Sequence, residues 1–341
     1  MTPMEPGDAR AAPAARWSSS GLIVQGASPA HALLAFADAV LRGIGQVMLQ
    51  NNSYTGLLFL LGVFASSALA GWAVLLGAIA GTASAAWLGA DRADVRAGLF
   101  GFNGALVGVA LGGFLRMDAL LWAYIVAAAA CSSVAMAALM RLLANWRVPA
   151  LTAPFVLTTW LFVLAGARLG QLRWSGALPA AALPQAAGAP GAVTGATLLE
   201  GLFNGVAQVF FQGHVVTGVL FVVGLLVSSR PAGIAALLGS LAGLLIGWLM
   251  GAAEPALRAG AFGFNPVLTA IALGSGLFVR NAAALAYAAL AVLATTVAFA
   301  ALSAALAPLG LTALTAPFVL VVWLFWLASP LFLRLRRVAP G

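Results

Sequence analysis

Four neutral polar side chains recur in pairs within apolar segments of this sequence. The amides are Gln46 and Gln208, and the hydroxyls are Thr152 and Thr315, each in an LTAPF block. An amide offers one acceptor and two N–H donors, and a hydroxyl offers both functions, so these groups can replace the water around a neutral, amide-like solute. They carry no charge with which to neutralise an ion. The competing interpretation of the glutamines is hydrogen bonding between helices, a common role for Gln in membrane bundles.

Two aromatic–aliphatic pairs also recur. Phe102 and Leu106 lie four residues apart, as do Phe264 and Leu268, so each pair falls on one helix face, one turn apart. Opposed across a two-fold axis, the pairs would form an apolar slot that admits a planar solute and refuses hydrated ions. The alternative is that these side chains fill the core or face lipid.

The LTAPF blocks and one histidine allow two interpretations each. Pro154 and Pro317 follow the repeated threonines inside apolar runs, where a proline ring frees a backbone carbonyl that could line a path. An ordinary proline kink is the alternative. His214 stands where the first half has Asn52. We interpret it as a helix cap, because a metal site would need partner ligands that the sequence does not supply.

The positions of these residues are set by an internal repeat with an offset of 162 residues (208 − 46). GIGQVMLQNNSYTG from Gly43 matches GVAQVFFQGHVVTG from Gly205, and RAGLFGFNGALVG from Arg96 matches RAGAFGFNPVLTA from Arg258. A third block, LTAPFVL, occurs in both halves with one residue inserted between the copies. Repeats of fixed period decide an architecture, so the chain is predicted to be two copies of one unit.

The composition indicates that lipid surrounds this chain. Of its 341 residues, 63% are hydrophobic and 7% are charged, with a mean hydropathy of +1.06, whereas a soluble domain carries about 25% charged residues. Apolar runs of about 17 to 25 residues, long enough to cross a bilayer, recur from Tyr54 onward. The net charge of +8 does not indicate nucleic-acid binding, because all sixteen basic residues are Arg spread between apolar runs, as the positive-inside rule predicts.

Each half holds six apolar segments, of which the first is unlike the others. Asp38, Arg42 and Gln46 recur there every four residues as one polar stripe, and a central charge facing lipid costs about 2.5 to 3.5 kcal/mol. We therefore predict a re-entrant or tilted half-helix followed by five transmembrane helices in each half. Five is odd, so the predicted fold is an all-α polytopic membrane protein with two inverted repeats around a central pore.

The chain is predicted to have four parts. They are an Ala/Pro/Ser-rich, disordered cytoplasmic tail over 1–27, a first membrane repeat over 28–168, a Pro/Gly/Ala-rich linker over 169–195, and a second membrane repeat over 196–341 that ends in a short basic tail. With both termini cytoplasmic, eleven loop arginines fall inside and four outside, which favours this topology over six crossings per half.

The apolar segments offer little for ion coupling or catalysis. Their acids, Asp38 and Glu200, lie near half-helix starts, whereas proton relays need ionisable groups at depth. An enzyme would need a nucleophile with a base or a metal-ligand cluster, and no H-E-x-x-H or paired-carboxylate site is present. A scaffold role leaves the recurring polar residues unexplained. We therefore predict a passive channel for a small uncharged solute, with no enzymatic activity and no cofactor.

On these three repeated blocks the sequence resembles the urea transporter family, over about residues 30 to 335. The resemblance implies urea as the substrate and downhill, channel-like transport. It also implies a homotrimer in the lipid of a bacterial inner membrane, with one pore per protomer and no nucleic-acid partner. A channel of the same fold for short amides or ammonia is the alternative.

The resemblance further implies roles for ten residues. Gln46 and Gln208 would contact urea at two outer sites, where Phe102 and Phe264 would flank it. Leu106 and Leu268 would narrow the slot, Thr152 and Thr315 would sit at its centre, and Val47 and Val209 would form part of the pore wall.

Overall fold

A computed structural model describes residues 15–24, 29–178, 181–182 and 191–338, and its regular structure is dominated by α-helices. The first half contains α1 (Pro29–Gln46), α2 (Ser53–Ser66), α3 (Ala68–Trp87), α4 (Arg92–Arg96), α5 (Gly101–Phe114), α6 (Ala119–Leu143) and α7 (Ala153–Gly166). The second half contains α8 (Gly195–Ala207), α9 (Val215–Ser228), α10 (Arg230–Leu249), α11 (Glu254–Arg258), α12 (Phe264–Ile271), α13 (Ala282–Leu306) and α14 (Ala316–Ala328).

The two halves are antiparallel, as two reciprocal hydrogen bonds between α2 and α9 establish. Thr55, early in α2, donates its hydroxyl to the Gly224 carbonyl late in α9, and Thr217, early in α9, donates to the Gly62 carbonyl late in α2, both at 2.8 Å. Helices that exchange early and late positions in this way run in opposite directions. The prediction of two inverted repeats related by a two-fold axis is therefore confirmed.

A second reciprocal pair ties α7 to α14 across the same axis. The indole N–H of Trp160 in α7 donates to the Thr312 carbonyl at 3.0 Å, and that of Trp323 in α14 donates to the Pro149 carbonyl at 2.8 Å. Each bond satisfies a polar group that would be costly to leave unpaired in an apolar interior. The segments that precede the two helices are thereby held at the axis.

The helices at the predicted spans differ in length. Among the described residues, two helices in each half are long and apolar enough to cross a membrane alone, namely Ala68–Trp87, Ala119–Trp146, Arg230–Leu249 and Ala282–Leu309. Gly195–Phe210 and Val215–Ser228 form a pair bent by 73°. Helices of 14 residues such as α5 and α7 reach about 21 Å, short of a hydrocarbon core of about 30 Å. The all-α polytopic fold is confirmed, but five full-length crossings per half are not formed by helix length alone.

The prolines of the LTAPF blocks do not kink a helix. Pro154 and Pro317 lie in the first turn of α7 and α14, where a backbone N–H has no intrahelical partner in any case. Neither proline therefore frees a carbonyl within a helix. The apolar runs that contain them include both a short helix and the irregular segment before it.

The N-terminal segment differs from the predicted disordered tail. Strand β1 (Ala15–Ser18) pairs antiparallel with β2 (Gly21–Val24). The hairpin docks on the start of α2, where the Ser53 N–H donates to the Ser20 carbonyl at 3.1 Å, and on α1, where the Asp38 carboxylate accepts the Leu22 N–H at 2.9 Å. The remaining parts of the predicted tail, part of the predicted linker (179–180 and 183–190), and residues 339–341 lie outside the described residues.

Candidate functional site

Gln46 lies at the end of α1, where the chain reverses. Leu49 adopts a left-handed conformation (φ 63°), and the side-chain amide of Gln50 donates to the Met48 carbonyl at 2.9 Å, which fastens the turn. The Gln46 side chain then donates through Nε2 to the Ala97 carbonyl at 3.0 Å. The turn therefore presents one amide at a fixed place between α1 and the segment that leads into α5.

The second half repeats this turn. Phe211 is left-handed (φ 59°), and Gln212 donates its side-chain amide to the Phe210 carbonyl at 2.7 Å. Gln208 thereby occupies the position that corresponds to Gln46. The repeated Gln50 and Gln212 of the sequence motif are thus turn-fastening residues.

Two cavities related by the two-fold axis contain these amides. The first has a volume of about 310 Å³. It is lined by Gln46, Leu49, Leu99, Phe102, Met136, Met140, Val148, Pro149, Ala150 and Leu151. The second, of about 320 Å³, is lined by Phe114, Gln208, Phe211, Phe264, Phe299, Ser303, Ala307, Leu311, Thr312, Ala313 and Leu314. Each cavity combines a Gln amide with a Phe ring, and none of the described residues that line them is charged.

Thr152 and Thr315 meet between the two cavities. Their hydroxyl oxygens lie 2.6 Å apart in a hydrogen bond, and the two residues are 3% and 2% exposed. Thr152 directly follows Leu151, which lines the first cavity, and Thr315 directly follows Leu314, which lines the second. At 2.6 Å the hydroxyls leave no room for a water molecule between them. The structure therefore holds two cavities with a buried contact between two hydroxyls beside them, and the role of these threonines at the constricted centre of a pore stays a prediction.

The amide oxygens of Asn103 and Asn265 fix the threonine segments. Asn103 accepts the Phe155 N–H at 3.0 Å, and Asn265 accepts the Phe318 N–H at 3.1 Å. Both donors belong to the first turns of α7 and α14, whose N–H groups have no partner within the helix. These asparagines are structural, and they couple α5 and α12 to the central hydroxyls.

Residues 37–330 match the family described as urea transporter. That match covers most of the 341-residue chain, well beyond any single motif. The chain belongs to the urea transporter family. As a member, it is an integral membrane protein.

Similar proteins carry the same family name. The chain is 30% identical over 251 residues to urea transporter 1 of Rattus norvegicus, and 31% identical over 251 residues to urea transporter 1 of Mus musculus. It is 30% identical over 250 residues to urea transporter 1 of Ovis aries. Each alignment covers 72% of this chain and 64–65% of the relative. The chain therefore spans slightly less than two thirds of the length of these relatives.

Six of the ten predicted site residues of this urea transporter family member lie outside the two cavity linings, namely the two threonines of the central contact and four apolar residues. Leu106, Leu268, Val47 and Val209 are all at most 1% exposed and belong to the packed core. Leu106 and Leu268 lie one helical turn beyond the Phe residues that do line the cavities. Their role at the narrow part of a path stays a prediction.

The repeated acids of the glutamine-bearing helices form ion pairs. Arg42 pairs with Asp38 at 2.6 Å, and Arg258 pairs with Glu200 at 3.2 Å and with Glu254 at 2.8 Å. The Thr197 hydroxyl, followed by the Arg258 guanidinium, holds the pKa of Glu254 below its usual value. The repeated acids at positions 38 and 200 are therefore partners of arginines, and they add no free charge to the cavities.

Four left-handed residues at the cavities were missed by the sequence reasoning. Leu49, Phe211, Leu151 and Leu314 all have φ between 50° and 63°, and all four line a cavity. A bulky residue at positive φ is unusual and is tolerated only where the surroundings enforce it. Residue type gives no hint of this conformation. Its occurrence at equivalent positions in both halves shows that the fold requires it.

We expect His214→Asn to stabilise this family member. His214 occupies the N-cap of α9 without a side-chain capping bond. By contrast, Asn52 at the N-cap of α2 accepts the N–H groups of Tyr54 and Thr55. A new Asn cap is worth about 0.5–2 kcal/mol. Thermal unfolding of detergent-solubilised protein should show a raised midpoint. Asn52→Ala, as the matched control, should lower the midpoint, and an unchanged midpoint in both variants would contradict the capping assignment.

Proposed function

We propose that this protein conducts urea passively down its concentration gradient. The observation that carries the proposal is the pair of symmetric cavities, each with a Gln amide and a Phe ring, on either side of the Thr152–Thr315 contact. Urea is planar, carries two amide nitrogens and one carbonyl, and fits the hydrogen-bonding range of amides and hydroxyls. The family name of its relatives supports the same substrate.

The chemistry of the path is an exchange of hydrogen bonds. In each cavity, urea would lose water and gain contacts to the Gln amide and the face of Phe102 or Phe264. At the centre, the hydroxyls of Thr152 and Thr315 now bond to each other. They would separate and bond the passing urea, so that a neutral polar solute has partners throughout. An ion would lose its hydration without a compensating charge, which is the basis of its exclusion.

We expect urea flux to be independent of membrane potential and of a proton gradient, because the linings of both cavities are uncharged. Purified protein in liposomes, assayed by light scattering after a urea gradient is imposed, measures this directly. Flux should be equal with and without a potential of either sign. A flux that requires a proton gradient would overturn the passive mechanism, and faster flux of acetamide or ammonia than of urea would favour the alternative solutes.

Three further features belong to this proposal. The distribution of arginines supports an orientation with both termini cytoplasmic, and the family resemblance supports a bacterial inner-membrane location. The family resemblance supports a homotrimer with one path in each protomer.

Leu106, Leu268, Val47 and Val209 would become exposed to the path when the central contact opens. Cysteine substitution at Leu106 and Leu268, followed by a small thiol reagent, tests the last point, since labelling should slow urea flux.

A further inference from the structure

An apolar groove of about 590 Å³ lies on the outer side of the second half, between α10 and α13. Its walls include Ile234 and Leu238 from α10 and Leu285 from α13, which are 55%, 61% and 54% exposed. Large aliphatic side chains exposed to this degree in a membrane protein face lipid. The groove therefore lies on the apolar outer surface of the chain, and it shares no lining residue with the two cavities.

The groove has a structural cause that is confined to the second half. In the first half, Gly104 and Gly108 of α5 lie so close to α3 that an added Cβ would collide with its backbone carbonyls. The corresponding residues of the second half are Pro266 and Ala270. α10 still approaches α12 closely at Gly239, where an added Cβ would lie 2.6 Å from the Pro266 carbonyl oxygen, but the Pro266 ring and the Ala270 methyl add bulk that the two glycines of the first half lack. The backbone after α12 also widens to a π-helix over Ala272–Gly276.

One end of the groove is positively charged. Arg280, exposed just before α13, is the charged residue among those lining it. The chain near the C-terminus is fastened beside it, because the Val279 N–H donates to the Arg336 carbonyl at 2.8 Å and the Asn281 amide donates to the Arg334 carbonyl at 3.0 Å. Arg334 and Arg336 are also exposed. At the position of Arg280, the first half carries the uncharged Met117, because Asp118 and Asn281 are the equivalent N-cap residues of α6 and α13.

We propose that this groove binds one anionic phospholipid, with an acyl chain between α10 and α13 and the phosphate at Arg280. The lining residues of α10 run from Pro231 to Ile246, a length of about 22 Å. One leaflet of the hydrocarbon core is about 15 Å thick, so the groove accommodates a chain from its headgroup end to the bilayer centre. Clustered arginines beside apolar helices attract anionic headgroups.

Native mass spectrometry of the intact protein, released from nanodiscs of equal phosphatidylglycerol and phosphatidylcholine, tests the proposal. Wild type should retain phosphatidylglycerol at least about fivefold over phosphatidylcholine. Ala289→Trp, which places an indole in the groove, should abolish retention of both lipids. Ala127→Trp, at an exposed alanine of α6 in the first half, is the control and should retain lipid as wild type does. Arg280→Gln should keep bound lipid but lower the preference about fivefold.

Several outcomes overturn the proposal. One is equal retention of the two lipids by wild type, and another is unchanged retention in Ala289→Trp. A third is loss of oligomeric mass in Ala289→Trp with lipid still bound, because it would identify a second copy of the chain as the occupant. Arg280→Gln changes an exposed side chain, so its result remains informative even where the tryptophan variant fails to fold. Normal size-exclusion elution is the folding control for all variants.

Discussion

Replacing both central threonines, as Thr152→Val/Thr315→Val, is expected to reduce urea flux by at least about tenfold while leaving the protein folded. The two hydroxyls lie 2.6 Å apart in a buried contact, and valine has nearly the same shape without a hydrogen-bonding group. Urea at the centre would lose both partners, and an unmade hydrogen bond to a buried group costs about 1–3 kcal/mol. A barrier raised by ~1.4 kcal/mol corresponds to a tenfold slower passage.

The single variant Thr152→Val separates stability from conduction. It leaves the hydroxyl of Thr315, a residue that is 2% exposed, without its partner, so we expect a loss of about 1–3 kcal/mol of stability. Removing both hydroxyls should restore most of that stability, because no polar group is then left unpaired. Urea flux should nevertheless be lower in the double variant than in the single one.

Thr159→Val is the matched control on the same helix. Among the described residues, the buried hydroxyl of Thr159 has no hydrogen-bond partner, and its counterpart in the second half is Val322. This variant should keep wild-type flux and at least wild-type stability. If the double threonine variant conducts urea as fast as wild type, the central hydroxyls serve packing only, and the path must lie elsewhere.

The second large effect is expected at the cavity amides. Gln46→Leu and Gln208→Leu should each lower urea flux about tenfold, because each removes the amide from a cavity that urea must cross in series. A lost hydrogen bond of about 1–1.5 kcal/mol accounts for that factor. Stopped-flow light scattering on proteoliposomes containing equal amounts of each variant gives the comparison.

The glutamines also have a possible packing role that the experiment must separate from conduction. Gln46 bonds the Ala97 carbonyl at 3.0 Å, so its replacement should cost some stability. Gln50→Leu is the control, because Gln50 fastens the adjacent turn through the Met48 carbonyl but does not line the first cavity. A flux loss in Gln50→Leu as large as in Gln46→Leu, at equal folded amounts, would assign both effects to the turn.

The internal repeat identified candidate site residues that the composition of the chain could not identify. The offset that pairs Gln46 with Gln208 also pairs Phe102 with Phe264, and the structure distributes these residues between two equivalent cavities. This works because two copies of one unit around an axis must place matching side chains in matching surroundings. Hydropathy was less informative. It treated α5 and α7 with their flanking loops as full spans, because an apolar loop and an apolar helix have the same hydropathy.

The sequence by itself determined that the chain is a helical membrane protein of two related halves with paired neutral polar residues. Only the tertiary structure decided that Thr152 and Thr315 touch, and that the glutamines lie in two separate cavities. Their contact depends on the left-handed Leu151 and Leu314, on the amides of Asn103 and Asn265, and on the tryptophan bonds across the axis. These constraints act between segments far apart in the chain, and residue type and spacing do not encode their geometry locally.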